Sequence, residues 1–238
     1  MNNLNKSKRE FKALCHEVVN CRCCFKDKKL KVEPPTKNDT AQPRWIGPNY
    51  WTSKPRILII LINPGAGKGR KDAADDKARK ARLEFSKNPE QEKLNNILKD
   101  QREDMTHWGV GNQHFFNFYR KMGLQGYIDE SDLEKDKIAF ANIAWCAAWC
   151  ETGGNQYPSE MLNTCYDKHT KKLLKIIKPD IIILSGSATH RFCSEIHKVI
   201  PASNVITTFH YANRESDIDV QTEQARVKKQ IQGIMRRF

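Results

Sequence analysis

Apolar residues along this chain come in short dense bursts separated by long polar stretches, and the bursts set the order of the elements. Phe11, Leu14, Val18 and Val19 recur at helical spacing, so Lys6 to Asn20 is predicted as a short amphipathic helix. The segment 26–54, rich in Pro, Lys and polar residues, reads as an irregular connector. Ile57 to Ile62 is an unbroken apolar run with isoleucine at four of its six positions, which favours a buried strand over a helix. Ile138 to Ile143 and Ile181 to Leu184 repeat that signal, and Val205 to Phe209 forms a last strand that runs into His210. Helical patterns fill the gaps. GNQHFFNFYRKMG, Gly111 to Gly123, is an aromatic-rich helix that stops at glycine. Pro158 opens a long helix with Met161, Leu162, Cys165, Leu173 and Ile177 on its buried face. A helix after the turn SGSA runs to about Val199, and a polar, basic helix closes the chain. Strands alternating with helices imply an α/β fold: a three-layer α/β/α sandwich with a central, mostly parallel four-stranded sheet.

One segment departs from this rhythm. Residues 68–104 carry few large apolar side chains and many charges, with Pro89 breaking two helical pieces. They read as an insertion, either a solvated helical excursion or a lid that contacts DNA. At 238 residues and 39% hydrophobic content, the chain can bury one substantial core. A single domain, 1–238, with the insertion at about 68–104 is therefore expected.

Charge changes the picture more than composition does. The formal net charge is +13 and the isoelectric point is near 9.4. A field of that size points to a polyanionic partner, because phosphates recruit lysine and arginine through counterion release. Nucleic acid is the leading partner, and a merely soluble basic surface is the plainer reading. No apolar window reaches membrane-spanning length and the N-terminus lacks the apolar stretch of a signal peptide, so a cytoplasmic, non-membrane, monomeric protein is expected. Eight cysteines without an export signal suggest reduced thiols, some of them binding metal. Cys21, Cys23 and Cys24 cluster as CRCC, Cys146, Cys150 and Cys165 follow much later, and Cys15 and Cys193 stand apart.

The stretch RILIILINPGAGKGR, Arg56 to Arg70, invites comparison with a phosphate-binding loop, but its count is wrong. If Gly67 and Lys68 closed such a loop, the opening glycine would fall on Ile62 and the magnesium-binding hydroxyl on Gly69. Pro64 also removes an N–H donor. What remains is an asparagine just past the C-terminal end of a buried strand, the end at which open α/β sheets bind ligands.

Three features in order resemble the uracil-DNA glycosylase superfamily. They are a strand ending in Asn63-Pro64-Gly65, the segment KPDIIILSGSA from Lys178 to Ala188, and a strand ending in His210. WGVGNQHFF, Trp108 to Phe116, is similar to the segment of the mismatch-specific branch whose aromatic stacks on the flipped base. The cysteines resemble the iron-sulfur branch instead: Cys21 and Cys24 have the spacing of the N-terminal pair, Cys146 follows Asn142 as the third family cysteine follows its asparagine, and fourteen residues separate Cys150 from Cys165.

The resemblance implies a monofunctional DNA N-glycosylase, a hydrolase that flips a nucleotide out of the duplex and cuts its glycosidic bond to leave an abasic site. It assigns water placement to Asn63, whose amide can orient water but cannot take its proton. His210 would donate a hydrogen bond to the base oxygen that gains charge. Asn142 would read the pyrimidine edge, Trp108 would be the stacking shelf, and Leu61 and Gly65 would wall the pocket. Tyr211 and Arg214 fall where the family inserts a wedge and touches phosphate, and Lys68 and Arg70 are further DNA contacts. For the cysteines it implies a [4Fe–4S] cluster on Cys21, Cys24, Cys165 and Cys150, with Cys146 as the alternative to Cys150; zinc or no metal are the other readings.

The chain departs from the family at informative places. Leu61 stands two before Asn63 where the family usually has glycine, and His210-Tyr211-Ala212 replaces His-Pro-Ser. With the insertion, these changes suggest a modified or damaged pyrimidine as substrate, including the hypermodified bases of phage DNA. Ordinary base excision repair of uracil or deaminated bases is the alternative. A non-catalytic nucleic-acid-binding module with a structural metal site is the reading from another class.

Overall fold

The computed structural model describes residues 2–26, 30, 32–33, 41–62, 73–109, 114–129, 132–147, 149–150, 157–212 and 216–238. In chain order the elements are α1 (Asn2–Asn20), α2 (Cys23–Lys26), β1 (Val32–Glu33), β2 (Ile57–Leu61), α3 (Ala73–Lys87), α4 (Gln91–Asp104), α5 (Phe115–Tyr119), β3 (Ile138–Asn142), β4 (Trp149–Cys150), α6 (Ser159–Cys165), α7 (Lys171–Ile177), β5 (Ile181–Ser185), α8 (Ser187–His190), α9 (Cys193–Val199), β6 (Asn204–Thr208) and α10 (Asp217–Met235). The fold is of the three-layer α/β/α class around a four-stranded, all-parallel sheet of order β3-β2-β5-β6. None of the described helices is long and apolar enough to cross a membrane.

The apolar runs become the sheet because a parallel strand covered on both faces must be apolar on both. Every residue of β2, β3 and β5 is buried. Ile57 pairs with Ile181 and Ile60 with Leu184, while Ile181 pairs with Asn204 and Ser185 with Thr208. Asp180 sets this register at the start of β5. Its carboxylate accepts the Arg56 backbone N–H at 2.7 Å and pairs with Lys54 at 3.4 Å.

The chain divides into two compact units. One comprises Arg44–Ile62, Gln101–Ala141 and Lys178–Phe238, and holds nearly the whole sheet. Its helix α10 buries Val220, Gln224, Val227 and Ile231, one side of a helical repeat, and is capped by Ser216, whose hydroxyl accepts the Asp219 N–H at 3.2 Å. Asp136, two residues before β3, is fully buried and held on several sides. It receives Arg102 Nε at 2.6 Å, Trp45 Nε1 at 3.0 Å and the Asp129 N–H at 3.0 Å, and the Arg102 guanidinium also lies 3.9 Å from the centre of the Phe116 ring.

The other unit comprises Met1–Pro43, Asn63–Asp100 and Asn142–Ile177. Here α1 buries Phe11, Leu14, Cys15, Val18 and Val19 and begins earlier than its apolar pattern, at Asn2. Helices α3 and α4 flank the expected break at Pro89, and α3 is docked rather than free. Phe85 is fully buried edge-on to His16 of α1, whose Nε2 meets the Ser86 carbonyl at 2.9 Å. The long helix expected after Pro158 is interrupted by a π turn at Tyr166–Thr170. The turn faces His169 and Thr170 inward together. Thr170 Oγ1 then donates to the Asn142 carbonyl at 2.9 Å and accepts from Trp145 Nε1 at 2.9 Å.

Candidate functional site

Each strand of the parallel sheet ends on a buried residue. Leu61, Asn142, Ser185 and Thr208 are the last residues of β2, β3, β5 and β6 in the parallel sheet, and all four are buried. That is the edge at which such sheets bind ligands. Past β6 stands His210, half-buried, and its surroundings are built by β5. The Ser185 hydroxyl donates to the Phe209 carbonyl at 2.9 Å and accepts from the Tyr119 hydroxyl at 2.7 Å. The Gly186 N–H donates to the Thr208 carbonyl at 2.8 Å. Gly186 lies at φ +100°, and a Cβ on it would come within 3.4 Å of the His210 Cβ. A side chain there is strained by its backbone and would pack directly on the histidine.

These contacts define the state of His210. Its Nδ1 accepts the Ala212 backbone N–H at 3.2 Å, so Nδ1 is unprotonated and Nε2 carries the proton. Burial lowers the imidazole below its ordinary range, which favours the same neutral form. The result is a hydrogen-bond donor, Nε2–H, held without a positive charge.

An aromatic row extends from the histidine. Tyr211 lies 4.5 Å from the His210 ring at 36°, Phe115 meets Tyr211 edge-on at 5.0 Å, and Trp108 meets Phe115 edge-on at 5.4 Å. Trp108 is half-buried and fixed at its polar end, where Nε1 donates to Asp104 at 2.9 Å. Its orientation is therefore set before any ligand arrives. Phe115 is wholly buried, and packs also on Phe116, Tyr119 and Phe140.

Of the residues expected from sequence, His210, Tyr211 and Trp108 are brought into this one row. Leu61 and Asn142 end their strands, the latter with its carbonyl held by Thr170. Asn63, Gly65, Lys68, Arg70 and Arg214 lie outside the described residues. Sequence reasoning missed Tyr119, Ser185, Gly186 and Phe115. Ser185 and Gly186 stand inside the very segment that carries the family resemblance. Nothing local distinguishes Tyr119 and Phe115 from other aromatics of that helix.

The cysteines gather in the other unit. Cys24, Cys146 and Cys165 are buried and Cys21 is half-buried. Burial raises the Cys146 thiol well above its ordinary value, and the charges of Cys165, Cys21 and Cys24 raise it further. Cys165 is pushed up to about 12 by burial, with Cys24, Cys21 and Cys23 adding to the rise against the 3.2 Å N–H donated by Trp145. The thiols thus sense one another, and their donor type fits a thiolate-bound iron or zinc. Among the described residues, no three His, Cys, Asp or Glu side chains stand ready to hold an ion as they are placed. Cys146 belongs to this neighbourhood, whereas the side chain of Cys150 lies outside the described residues. Cys23 is exposed with Sγ 2.8 Å from Lys168 Nζ, which lowers its thiol.

Compared with known proteins, the chain matches no protein-family model and no curated protein sequence.

Proposed function

We propose that this protein is a DNA N-glycosylase that hydrolyses the glycosidic bond of a flipped-out modified or damaged pyrimidine and leaves an abasic site. The observation that carries the reading is His210: a neutral imidazole past a strand end, its Nδ1 engaged by Ala212 and its Nε2–H left as the donor. Glycosidic cleavage separates a cationic sugar from an anionic base, and a fixed donor aimed at the base oxygen lowers that barrier without reorganisation. A neutral donor suits the task, since it binds the growing anion without holding a charge in a half-buried site before the reaction. Under this reading Asn63 orients the attacking water and Asn142 reads the base edge. Trp108 offers the ring on which an extruded base stacks, at about 1–3 kcal/mol per base. The net charge of +13 supports DNA as the partner.

The cysteines complete the proposal as a four-thiolate site of Cys21, Cys24, Cys165 and one of Cys146 or Cys150, holding a [4Fe–4S] cluster, with zinc as the alternative. The mutual charge effects among Cys146, Cys165, Cys21 and Cys24 support the place of Cys146 in that site. A bound cluster there supplies a structural tie, and no catalytic step runs through it.

The substrate is tested with duplexes carrying uracil, hypoxanthine, 5-hydroxymethylcytosine or its glucosylated form, and with phage DNA with and without its modification, each followed by alkaline cleavage. Strand breaks dependent on the protein and on a modified base are expected, consistent with a role against modified phage DNA. Release of uracil alone returns the protein to ordinary repair. No abasic site from any substrate removes the glycosylase reading.

A further inference from the structure

The far end of β6 holds a second surface. Strand β6 is the outermost of the described sheet, and its hydrogen bonds show which residues face outward. The Asn204 N–H donates to the Asp180 carbonyl at 2.9 Å and the Thr208 carbonyl accepts from Gly186 at 2.8 Å, so residues 204, 206 and 208 turn their backbone groups to β5. Val205 and Thr207 therefore turn theirs to the open edge. At Thr207 the carbonyl is taken by Arg226 of α10 at 2.5 Å, which blunts that half of the edge. At Val205 the edge instead borders a groove of about 430 Å³.

The groove is mostly polar, with a small apolar patch and a cationic rim. Val205, Gly233 and Ile234 line it and are half-buried, while His197, Lys229 and Arg237 line it and are exposed. Gly233, in the last turns of α10, leaves the space that a side chain would narrow. We infer that this groove takes an extended acidic segment of a partner protein, added as a strand beside Val205. Strand addition draws its affinity from main-chain hydrogen bonds and its selectivity from alternate side chains. Here one set of side chains meets the apolar patch of Val205 and Ile234 and the other meets Lys229 and Arg237. A peptide alternating apolar and acidic residues satisfies both, and a second copy of this strongly cationic chain is a poor charge match. The groove lies at the opposite end of β6 from His210, so the inference does not depend on the glycosylase reading.

The test uses the full-length protein and a fluorescein-labelled decapeptide of alternating glutamate and valine, read by fluorescence anisotropy. Saturable binding is expected, weakened about tenfold or more by Val205→Pro, which deletes an outward N–H, and also by Lys229→Glu with Arg237→Glu. The same peptide N-methylated at alternate residues should lose binding. Lys229 and Arg237 are exposed, so their double variant keeps the fold even if the proline variant does not. Absence of saturable binding, or binding indifferent to both N-methylation and the charge-reversal variant, overturns the inference. So does an oligothymidylate of equal charge that binds more tightly and is lost with the same variants, or a dimer of the protein that those variants dissociate.

Discussion

At the residue scale the state of His210 governs the expected chemistry. His210→Ala should raise the barrier by about 2–4 kcal/mol, roughly a 30- to 1000-fold loss in kcat, with DNA binding kept within a few-fold. Single-turnover kinetics beside a binding titration separate the two, and a variant hurt only in stability would return His210 to a packing role. Asn63→Ala should cost on the order of 100-fold in the same assay, since water placement serves the chemical step alone. The lowered imidazole also fixes a sign. The neutral form is the donor that is needed, so activity should hold as pH falls through the ordinary histidine range and decline only below it.

A second histidine reports on stability instead. His169 is 1% exposed, with both ring nitrogens lacking a hydrogen-bond partner, and burial lowers it to about 4. Glu17 at 3.8 Å opposes that shift, and Lys168 and Lys172 reinforce it. The folded protein holds this ring neutral while the unfolded chain protonates it near pH 6.5. Its contribution is therefore complete above pH 6.5 and is lost as pH falls toward 4, by about 3 kcal/mol in all. Urea denaturation of wild type and His169→Gln at several pH values measures this, and equal pH slopes for the two would falsify it.

At the element scale the junction before β3 rests on one carboxylate. Asp136 gathers Arg102, Trp45 and the Asp129 N–H in a site closed to water, so removing its charge strands the guanidinium. Asp136→Asn should destabilise by about 3–5 kcal/mol, the usual cost of leaving a buried charge unpaired. Replacing Asp136 and Arg102 together by apolar residues should cost less than Asp136→Asn alone. Thermal unfolding of the single and double variants checks both statements. The π turn at Tyr166–Thr170 is the other element-scale feature. By adding a residue to one turn it faces both His169 and Thr170 inward, and so joins the buried histidine to the end of β3.

At the scale of the whole molecule, charge and thiols set the expectations. Under the proposed function DNA affinity should fall steeply with salt, because phosphate binding by a surface of net charge +13 would displace counterions. Anaerobically purified protein should carry iron and sulfide or zinc, and Cys165→Ser or Cys24→Ser should release it and lower the melting temperature. Colourless protein free of metal after such purification would leave the cysteines as buried core thiols, a common fate for that residue.

The apolar runs Ile57–Ile62, Ile138–Ile143 and Ile181–Leu184 were legible as strands because a strand covered on both faces can be written only in apolar residues. The alternation of strands with helices then specified the layered parallel class, and the family resemblance marked His210 beyond the last strand. What the sequence could not express is anything carried by a bond between distant residues. The neutral tautomer of His210 depends on where the chain folds Ala212 back, and its placement depends on Tyr119 reaching Ser185 and Ser185 reaching Phe209. Residues 68–104 read as a polar insertion, yet the buried Phe85 and the His16–Ser86 contact dock α3 against α1, since one buried aromatic ring outweighs many charges left in water. Cys146 likewise joins Cys21, Cys24 and Cys165 only in three dimensions. Hydrophobic period is a local property and was determined by the sequence itself; hydrogen bonds, tautomers and clustered thiols are long-range, and only the tertiary structure decided them.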